Sequence, residues 1–285
     1  MQESITRVDS TGFYAGQNRW VAIAVKAIVV SLVLWASLAS NAGDILMNIQ
    51  FGTIGHFRGW YVYVSATFMV MSLILALIPA TGRIRLGAND SAPEFSRFAW
   101  FSMMFGAGIG VGMLTYSTAE PLAHFANNPD VIMGSTTALH RDNLGAAYKW
   151  TLLHYGLTPW GCYAIVGMSL AYFAYRRDMP LTIRSPFIAV LRPEAGRRVG
   201  AVVDAAAILA TIIGIGVTIG YGVNQLTFGL HQITDWSWFV SNGKPSLTAL
   251  SLAVIFLTLA AMLSALSGIG RGIRWLSNLN MALSW

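Results

Sequence analysis

FSMMFGAGIGVGMLTYSTAEP, residues 101–121, is the stretch that decides the fold of this chain. Its glycines, Gly106, Gly108, Gly110 and Gly112, recur at every second position inside a run apolar enough to lie in a membrane. Each glycine costs about 1 kcal/mol of helix propensity relative to alanine. Because this spacing spreads the glycines around a helix, it predicts a span that unwinds and exposes backbone carbonyls inside a cavity.

Close packing between helices is the other interpretation of these glycines. Gly106 and Gly110, and likewise Gly108 and Gly112, form overlapping GxxxG patterns that let neighbouring helices approach. The two interpretations are compatible with each other. A dinucleotide-binding loop is excluded, since the pattern is not GxGxxG and no strand precedes it. Pro121 predicts the end of the helix, because proline cannot donate a backbone hydrogen bond.

The composition is that of an integral membrane protein. Of the 285 residues 55% are hydrophobic and 11% are charged, whereas about 25% are charged in soluble domains. The net charge of +6 does not indicate nucleic acid, because the basic residues fall in short loops between apolar segments. The single cysteine, Cys162, excludes an internal disulfide, and the histidines lack metal-ligand spacing.

The apolar segments predict six complete membrane spans and the start of a seventh. The predicted spans are residues 20–39, 60–80, 98–119, 146–175 with a kink at Thr158-Pro159, 202–226 and 247–266. The seventh begins near Trp275 and stops short of the roughly 20 residues that a crossing needs, so we expect the chain to be cut off within it. Thirteen arginines lie on the side of the N-terminal tail, residues 1–19, and four basic residues lie on the other, which predicts a cytoplasmic tail.

Three motifs, in order, resemble those of the betaine/choline/carnitine transporter family. They are GAGIGVG at 106–112 followed by AEPL at 119–122, HYGLTPW at 154–160, and SGIGRGI at 267–273 followed by LSNLNM at 276–281. The resemblance implies an all-α polytopic membrane protein with the LeuT-like inverted-repeat transporter fold, truncated here in the seventh helix. It implies two leading transmembrane helices at 20–80 and the first five-helix repeat, incomplete at its last helix, at 98–285.

The function that the resemblance implies is secondary active transport by alternating access across the plasma (inner) membrane. The expected substrate is a small quaternary ammonium or sulfonium solute such as glycine betaine, which serves in osmoprotection. Sodium is the expected coupling ion and no other cofactor is expected. The expected partners are the lipid bilayer and further copies in a homotrimer, without nucleic acid. A proton-coupled choline or carnitine carrier, or an exchanger of the same family, remains the alternative.

The substrate-binding residues that the resemblance implies are Gly108, Gly110 and Gly112, with Tyr155 and Tyr163. An aromatic ring attracts a quaternary ammonium by about 0.5–2 kcal/mol. Both tyrosines could instead be core or interface residues. Family members with aspartate at position 112 tend to take choline and to couple to protons. The glycine found here therefore favours a zwitterion, whose carboxylate exposed backbone amides can bind.

The ion-binding residues that the resemblance implies are Gly106 and Ile109, through their carbonyls, and Thr211, through its hydroxyl. Ile215 matches a second threonine ligand of sodium-coupled members and offers only a backbone carbonyl. Proton coupling therefore stays open. Thr211 could instead donate to the carbonyl one turn before it in its own helix. No metal other than sodium is expected.

Two other classes of function are disfavoured by the sequence. A potassium channel is suggested only by TIGYG at 218–222, which lies inside a continuous apolar segment without a pore helix before it. A membrane-embedded enzyme needs a nucleophile beside a base. Ser102 and Ser117 have no such neighbour at helical spacing, and Cys162 has only His154, two turns away. We therefore expect that the chain is not an enzyme.

Overall fold

The computed structural model describes residues 19–191 and 193–284, without the side chains of residues 193–195 and 197. Within these residues the chain is mostly helical, as predicted. The helices are α1 (Arg19–Leu38), α2 (Ala42–Leu77), α3 (Pro79–Gly82), α4 (Arg97–Gly108), α5 (Val111–Ala126), α6 (Pro129–Ile132), α7 (Leu144–Tyr155), α8 (Leu157–Ala171), α9 (Arg184–Val190), α10 (Pro193–Thr234), α11 (Leu247–Leu266) and α12 (Arg274–Ser284).

Shorter elements join these helices. A 3-10 turn covers Arg141–Asn143, and π-helical turns cover Tyr172–Arg176 and Ile269–Ile273. A two-residue hairpin pairs β1 (Val240–Ser241) with β2 (Lys244–Pro245). The predicted N-terminal tail lies outside the described residues except for Arg19, which begins α1. The division into leading helices and a first repeat stays a prediction.

Several of the described helices suit a membrane. Four are long and apolar enough to cross it, namely α1, α2, α10 and α11. A fifth is α4 together with Val111–Ile132, which comprises α5 and α6, if this bent pair is one span. The helix predicted from Trp60 begins at Ala42 instead. The predicted span 146–175 is divided into α7 and α8, of 12 and 15 residues, neither of which could cross alone. The protein is a multi-pass membrane protein.

Two predictions that rested on proline were wrong. Pro121 lies inside α5, which continues to Ala126. Membrane helices tolerate an interior proline where neighbouring groups satisfy the backbone polar groups that it frees. The interruption predicted at Thr158-Pro159 falls at Gly156, between α7 and α8. Pro159 then lies in the first turn of α8, where its missing N–H removes no helical hydrogen bond.

The described residues form two compact units, 19–91 with 149–211, and 92–148 with 212–284. In the first unit, α2 packs closely against α8. Gly161 permits this approach, since a Cβ at that position would lie 2.5 Å from the Met69 Cα. The Ser72 hydroxyl lies 3.2 Å from the Gly161 carbonyl oxygen, as a donor to it. A small residue at the crossing point therefore sets the distance between the helices.

In the second unit, two buried asparagines hold the connection between α5 and α7. Asn128 Nδ2 donates to Asn143 Oδ1 at 2.7 Å, and Asn143 Nδ2 donates to the Phe125 carbonyl at 2.7 Å. Asn128 Oδ1 accepts from the Asp130 N–H at 2.8 Å. These mutual hydrogen bonds compensate the desolvation of the two amides, so the connection is a structured element.

Candidate functional site

The glycine stretch interrupts its helix at Ile109 and Gly110, between α4 and α5. The Ile109 N–H donates to the Phe105 carbonyl at 2.8 Å, and the Leu114 N–H donates to the Gly110 carbonyl at 3.2 Å. Ile109 has φ −100° and ψ 85°, and Gly110 has φ −96° and ψ 177°, so neither is helical. The helices on either side are bent by 55°. The prediction that this span unwinds is confirmed.

The break exposes backbone groups of opposite polarity. A helix leaves its last carbonyls and its first N–H groups without partners inside the helix. Here the carbonyls that end α4 carry the negative end of a helix dipole, and the N–H groups of Val111 and Gly112 at the start of α5 carry the positive end. Such an arrangement can bind a cation at one helix end and a carboxylate at the other.

The glycines around the break have different surroundings. A Cβ on Gly106 would meet the Ser277 Oγ at 3.6 Å and the Asn280 Nδ2 at 3.8 Å, because α4 packs there against α12. A Cβ on Gly110 or Gly112 would have no described heavy atom within 4 Å. Helix packing therefore explains Gly106, whereas Gly110 and Gly112 leave the start of α5 accessible.

A pair of tyrosines that the sequence analysis missed fastens α5 to α10. The Tyr116 and Tyr221 hydroxyls are hydrogen bonded at 2.8 Å, and the two rings meet edge to face with their centroids 5.9 Å apart. One turn along α10, Gln225 Nε2 donates to the Thr115 hydroxyl. The tyrosines are 105 positions apart, so no local pattern could have identified them.

The two aromatic residues predicted to bind the substrate lie in the first unit, on α7 and α8. Tyr155 is half-buried and ends α7 directly before the break at Gly156, with its ring centroid 4.7 Å from that of His154. Tyr163 is 65% exposed, with its ring centroid 5.9 Å from that of Trp160. The ring of Tyr163 therefore remains accessible among the described residues, and the role of both tyrosines in binding stays a prediction.

The residues predicted to bind an ion divide between the two units. The Thr211 hydroxyl donates to the Ala207 carbonyl at 2.8 Å, so the expected bond within its own helix is present. The hydroxyl oxygen keeps its lone pairs and can still be a ligand. Gly106 and Ile109 lie in the second unit. Among the described residues, no group of three or more His, Cys, Asp or Glu could hold a metal ion.

Comparison with known proteins shows that the chain matches one protein family. The family model described as BCCT, betaine/carnitine/choline family transporter, matches residues 20–285. The osmo-dependent choline transporter BetT2 of Acinetobacter baylyi is 36% identical over 267 residues, which are 94% of this chain and 37% of that protein. The high-affinity choline transport protein of Escherichia coli K12 is 39% identical over 226 residues, 79% of this chain and 32% of that protein.

A third relative is named after a different substrate. The glycine betaine transporter OpuD of Bacillus subtilis is 32% identical over 266 residues, which are 93% of this chain and 49% of that protein. The chain thus spans between about a third and a half of the length of these curated relatives.

Proposed function

The chain belongs to the betaine/carnitine/choline family of transporters, and from that premise we propose that the whole protein is a secondary carrier of a quaternary ammonium or sulfonium compatible solute such as glycine betaine. Its relatives are transporters and not enzymes. In this proposal the carrier has the LeuT-like inverted-repeat fold, and its N-terminus is cytoplasmic.

The observation that carries the proposal is the interruption of an apolar span at Ile109 and Gly110. Unpaired backbone at membrane depth is stable only where protein, water or a ligand meets it. The N–H groups that begin α5 would bind the carboxylate of a zwitterion, as helix N-termini bind anions. The open space beside Gly110 and Gly112 would admit that carboxylate to the backbone.

The trimethylammonium end of the solute requires aromatic rings, because it has no hydrogen-bond donor. Tyr155 and Tyr163 would supply two of them, each contributing about 0.5–2 kcal/mol. Sodium is the proposed coupling ion, with Gly106, Ile109 and Thr211 as ligands through oxygen atoms. Binding of solute and ion would shift the populations of outward-open and inward-open states, which is alternating access. A homotrimer is the proposed assembly.

Choline is the second candidate substrate, and the names of two of the three relatives favour it. Choline has the same cationic end as glycine betaine and carries a hydroxyl in place of the carboxylate. It would therefore need a carboxylate from the protein near its charge. Position 112 offers none in this chain, which favours the zwitterion. Coupling to protons, or exchange, belongs to this second candidate.

Uptake by the whole protein in proteoliposomes tests the proposal. We expect labelled glycine betaine to accumulate under an inward sodium gradient, and labelled choline to accumulate less. Tyr163→Leu should reduce glycine betaine uptake and Tyr163→Phe should preserve it, since phenylalanine keeps the ring face. Tyr175→Leu is the matched control, because Tyr175 is 62% exposed and Tyr163 is 65% exposed.

Three results would change this conclusion. Faster choline than glycine betaine uptake would select the second candidate. Uptake driven by a proton gradient without sodium would remove the sodium assignment. Uptake of neither solute, in vesicles that retain folded protein, would overturn the proposed function.

A further inference from the structure

The first unit contains a cavity of about 580 Å³ beside the crossing of α2 and α8. Leu75 and Ala76 line it from α2, and Ala164 and Met168 line it from α8. Thr81 also lines the cavity. Its hydroxyl already donates a hydrogen bond to the Ile78 carbonyl at 2.6 Å. At about 30 Å³ for a group the size of a water molecule, the cavity holds roughly 19 such groups, enough for one acyl chain.

Four arginines, Arg83, Arg85, Arg176 and Arg177, lie within four positions in sequence of lining residues of this cavity. Arg83 and Arg85 alternate with lining residues in the loop after α3, and Arg176 and Arg177 follow lining residues in the π-helical turn after α8. Each of the four is exposed. The cavity therefore combines an apolar interior with a basic rim.

Hydrogen bonds hold the rim together. Arg176 Nη1 donates to the Gly87 carbonyl at 3.1 Å and to the Asn89 Oδ1 at 2.9 Å. Arg85 Nη1 donates to the Asn89 carbonyl. The Arg177 guanidinium carbon lies 5.8 Å from the centroid of the Tyr172 ring, which itself lines the cavity. These contacts orient the guanidinium groups of Arg85, Arg176 and Arg177 before any ligand arrives.

The four rim arginines form no ion pair with a carboxylate among the described residues. Within the described part of the chain, no carboxylate lies within 4.0 Å of a guanidinium nitrogen of these four arginines. Asp90 and Asp178 are near in sequence, are exposed and form no such pair. Each guanidinium has five N–H donors, so donors remain for a phosphate.

We propose that the cavity binds one acyl chain of an anionic phospholipid and that the four arginines bind its phosphate. The cavity is lined from the last turn of the apolar helix α2, which ends at Leu77, and the end of a membrane helix is where we expect lipid headgroups. A bilayer supplies lipid at this depth at high local concentration. Basic residues at that depth attract anionic lipids, and guanidinium matches phosphate geometry.

The lipid site depends on insertion of the protein into a membrane and not on which solute is carried. Its test therefore measures lipid binding alone. The whole protein is purified in a neutral detergent, and phosphatidylglycerol or phosphatidylcholine with the same acyl chains is added in mixed micelles. Native mass spectrometry counts the bound lipid, and thermal unfolding gives its affinity. Glycerol phosphate, which lacks the acyl chains, is the soluble anion in the comparison.

Two kinds of variant test separately how the arginine rim and the cavity interior contribute to lipid binding. The double variant Arg83→Gln/Arg177→Gln removes two rim charges and leaves the bonds of Arg85 and Arg176 to Asn89 in place. Its control is Arg58→Gln, on the same helix α2 and about 28 Å from Leu77 at 1.5 Å per residue. Ala164→Phe fills the interior, and its control is Val166→Phe, at a position on α8 that is 44% exposed.

We expect tighter binding of phosphatidylglycerol than of phosphatidylcholine and no effect of glycerol phosphate. The double arginine variant should weaken phosphatidylglycerol binding about 25-fold, at roughly fivefold for each charge. It should weaken phosphatidylcholine binding less, because the choline cation of that headgroup offsets the charge of its phosphate. Ala164→Phe should abolish the one-lipid complex, and both controls should behave as the parent protein. Equal affinities for the two lipids, or equal effects of Arg58→Gln and the double variant, would overturn the proposal. If Ala164→Phe fails to fold, the arginine comparison decides alone.

Discussion

The hydroxyls of Tyr116 and Tyr221 are hydrogen bonded at 2.8 Å and join α5 to α10. Tyr116 lies six residues beyond Gly110, where the preceding helix is interrupted. On the other side of the interruption, Gly106 of α4 packs against Ser277 of α12. The two halves of the broken span thus contact different helices of the second unit.

The hydrogen bond between the tyrosines should be measurable. We expect Tyr116→Phe and Tyr221→Phe each to lower the free energy of unfolding by about 0.5–1.5 kcal/mol. The double variant should lose about as much as either single variant, because all three remove the same bond. Thermal unfolding in detergent gives the values, with Tyr175→Phe as the unchanged control. Fully additive losses would show that the two hydroxyls act independently.

The crossing of α2 and α8 should tolerate no side chain at Gly161. A Cβ there would lie 2.5 Å from the Met69 Cα, so we expect Gly161→Ala to destabilise the protein by about 1–3 kcal/mol. Gly167→Ala on the same helix is the control, since its Cβ would meet no described atom within 4 Å. Alanine at that position should be neutral or stabilising by up to about 1 kcal/mol. Equal melting temperatures for the two variants would contradict this packing.

A carboxylate at position 112 should change the preferred solute. Gly112 lies in the first turn of α5 and has open space beside it. We expect Gly112→Asp to lower glycine betaine uptake and to raise the ratio of choline to glycine betaine uptake, because the new charge repels the carboxylate of the zwitterion and attracts a cation. Gly112→Ala, which adds only a methyl group, is the control. An equal shift of the choline to glycine betaine ratio in both variants would show that the size of the added side chain, and not its charge, changes the preferred solute.

Sodium dependence of uptake tests the role of Thr211. We expect Thr211→Val to raise the sodium concentration for half-maximal uptake roughly tenfold, since one hydrogen bond or ligand to a charged group contributes about 1.5 kcal/mol. Thr211→Ser should retain the parent value. Thr218→Val is the matched control, because Thr218 donates to the Gly214 carbonyl at 2.9 Å as Thr211 donates to Ala207 at 2.8 Å. The same sodium response in the two valine variants would remove Thr211 from the ion site.

Predictions from the sequence succeeded where the cause is local. Hydropathy predicted residues 247–266 as a span, and α11 covers Leu247–Leu266. Glycine spacing predicted the break in the span of residues 98–119. The predictions based on proline failed because the effect of a proline on a helix depends on its position in that helix. Pro121 is accommodated within α5, and Pro159 falls in a first helical turn.

The site was predictable only in part, because the sequence predicts local features and not contacts between segments. The break at Ile109 and Gly110 follows from residues close in sequence. The contact between Tyr116 and Tyr221 depends on chain segments 105 positions apart. Asn128 and Asn143, 15 positions apart, meet only because the connection between α5 and α7 folds back on itself. Nothing in the spacing of polar residues indicates which of them meet across two helices.

By itself, the sequence determined that this is a helical membrane protein of the betaine/carnitine/choline transporter family, and that its third apolar stretch unwinds. The length of an apolar segment sets how it is solvated, and its glycine content sets its helix propensity. Both are properties of a single segment. Only the tertiary structure decided that Gly106 packs against α12 while Gly110 stays open, and that Tyr116 bonds Tyr221. Those outcomes depend on which helix faces meet, because packing is a property of pairs of segments.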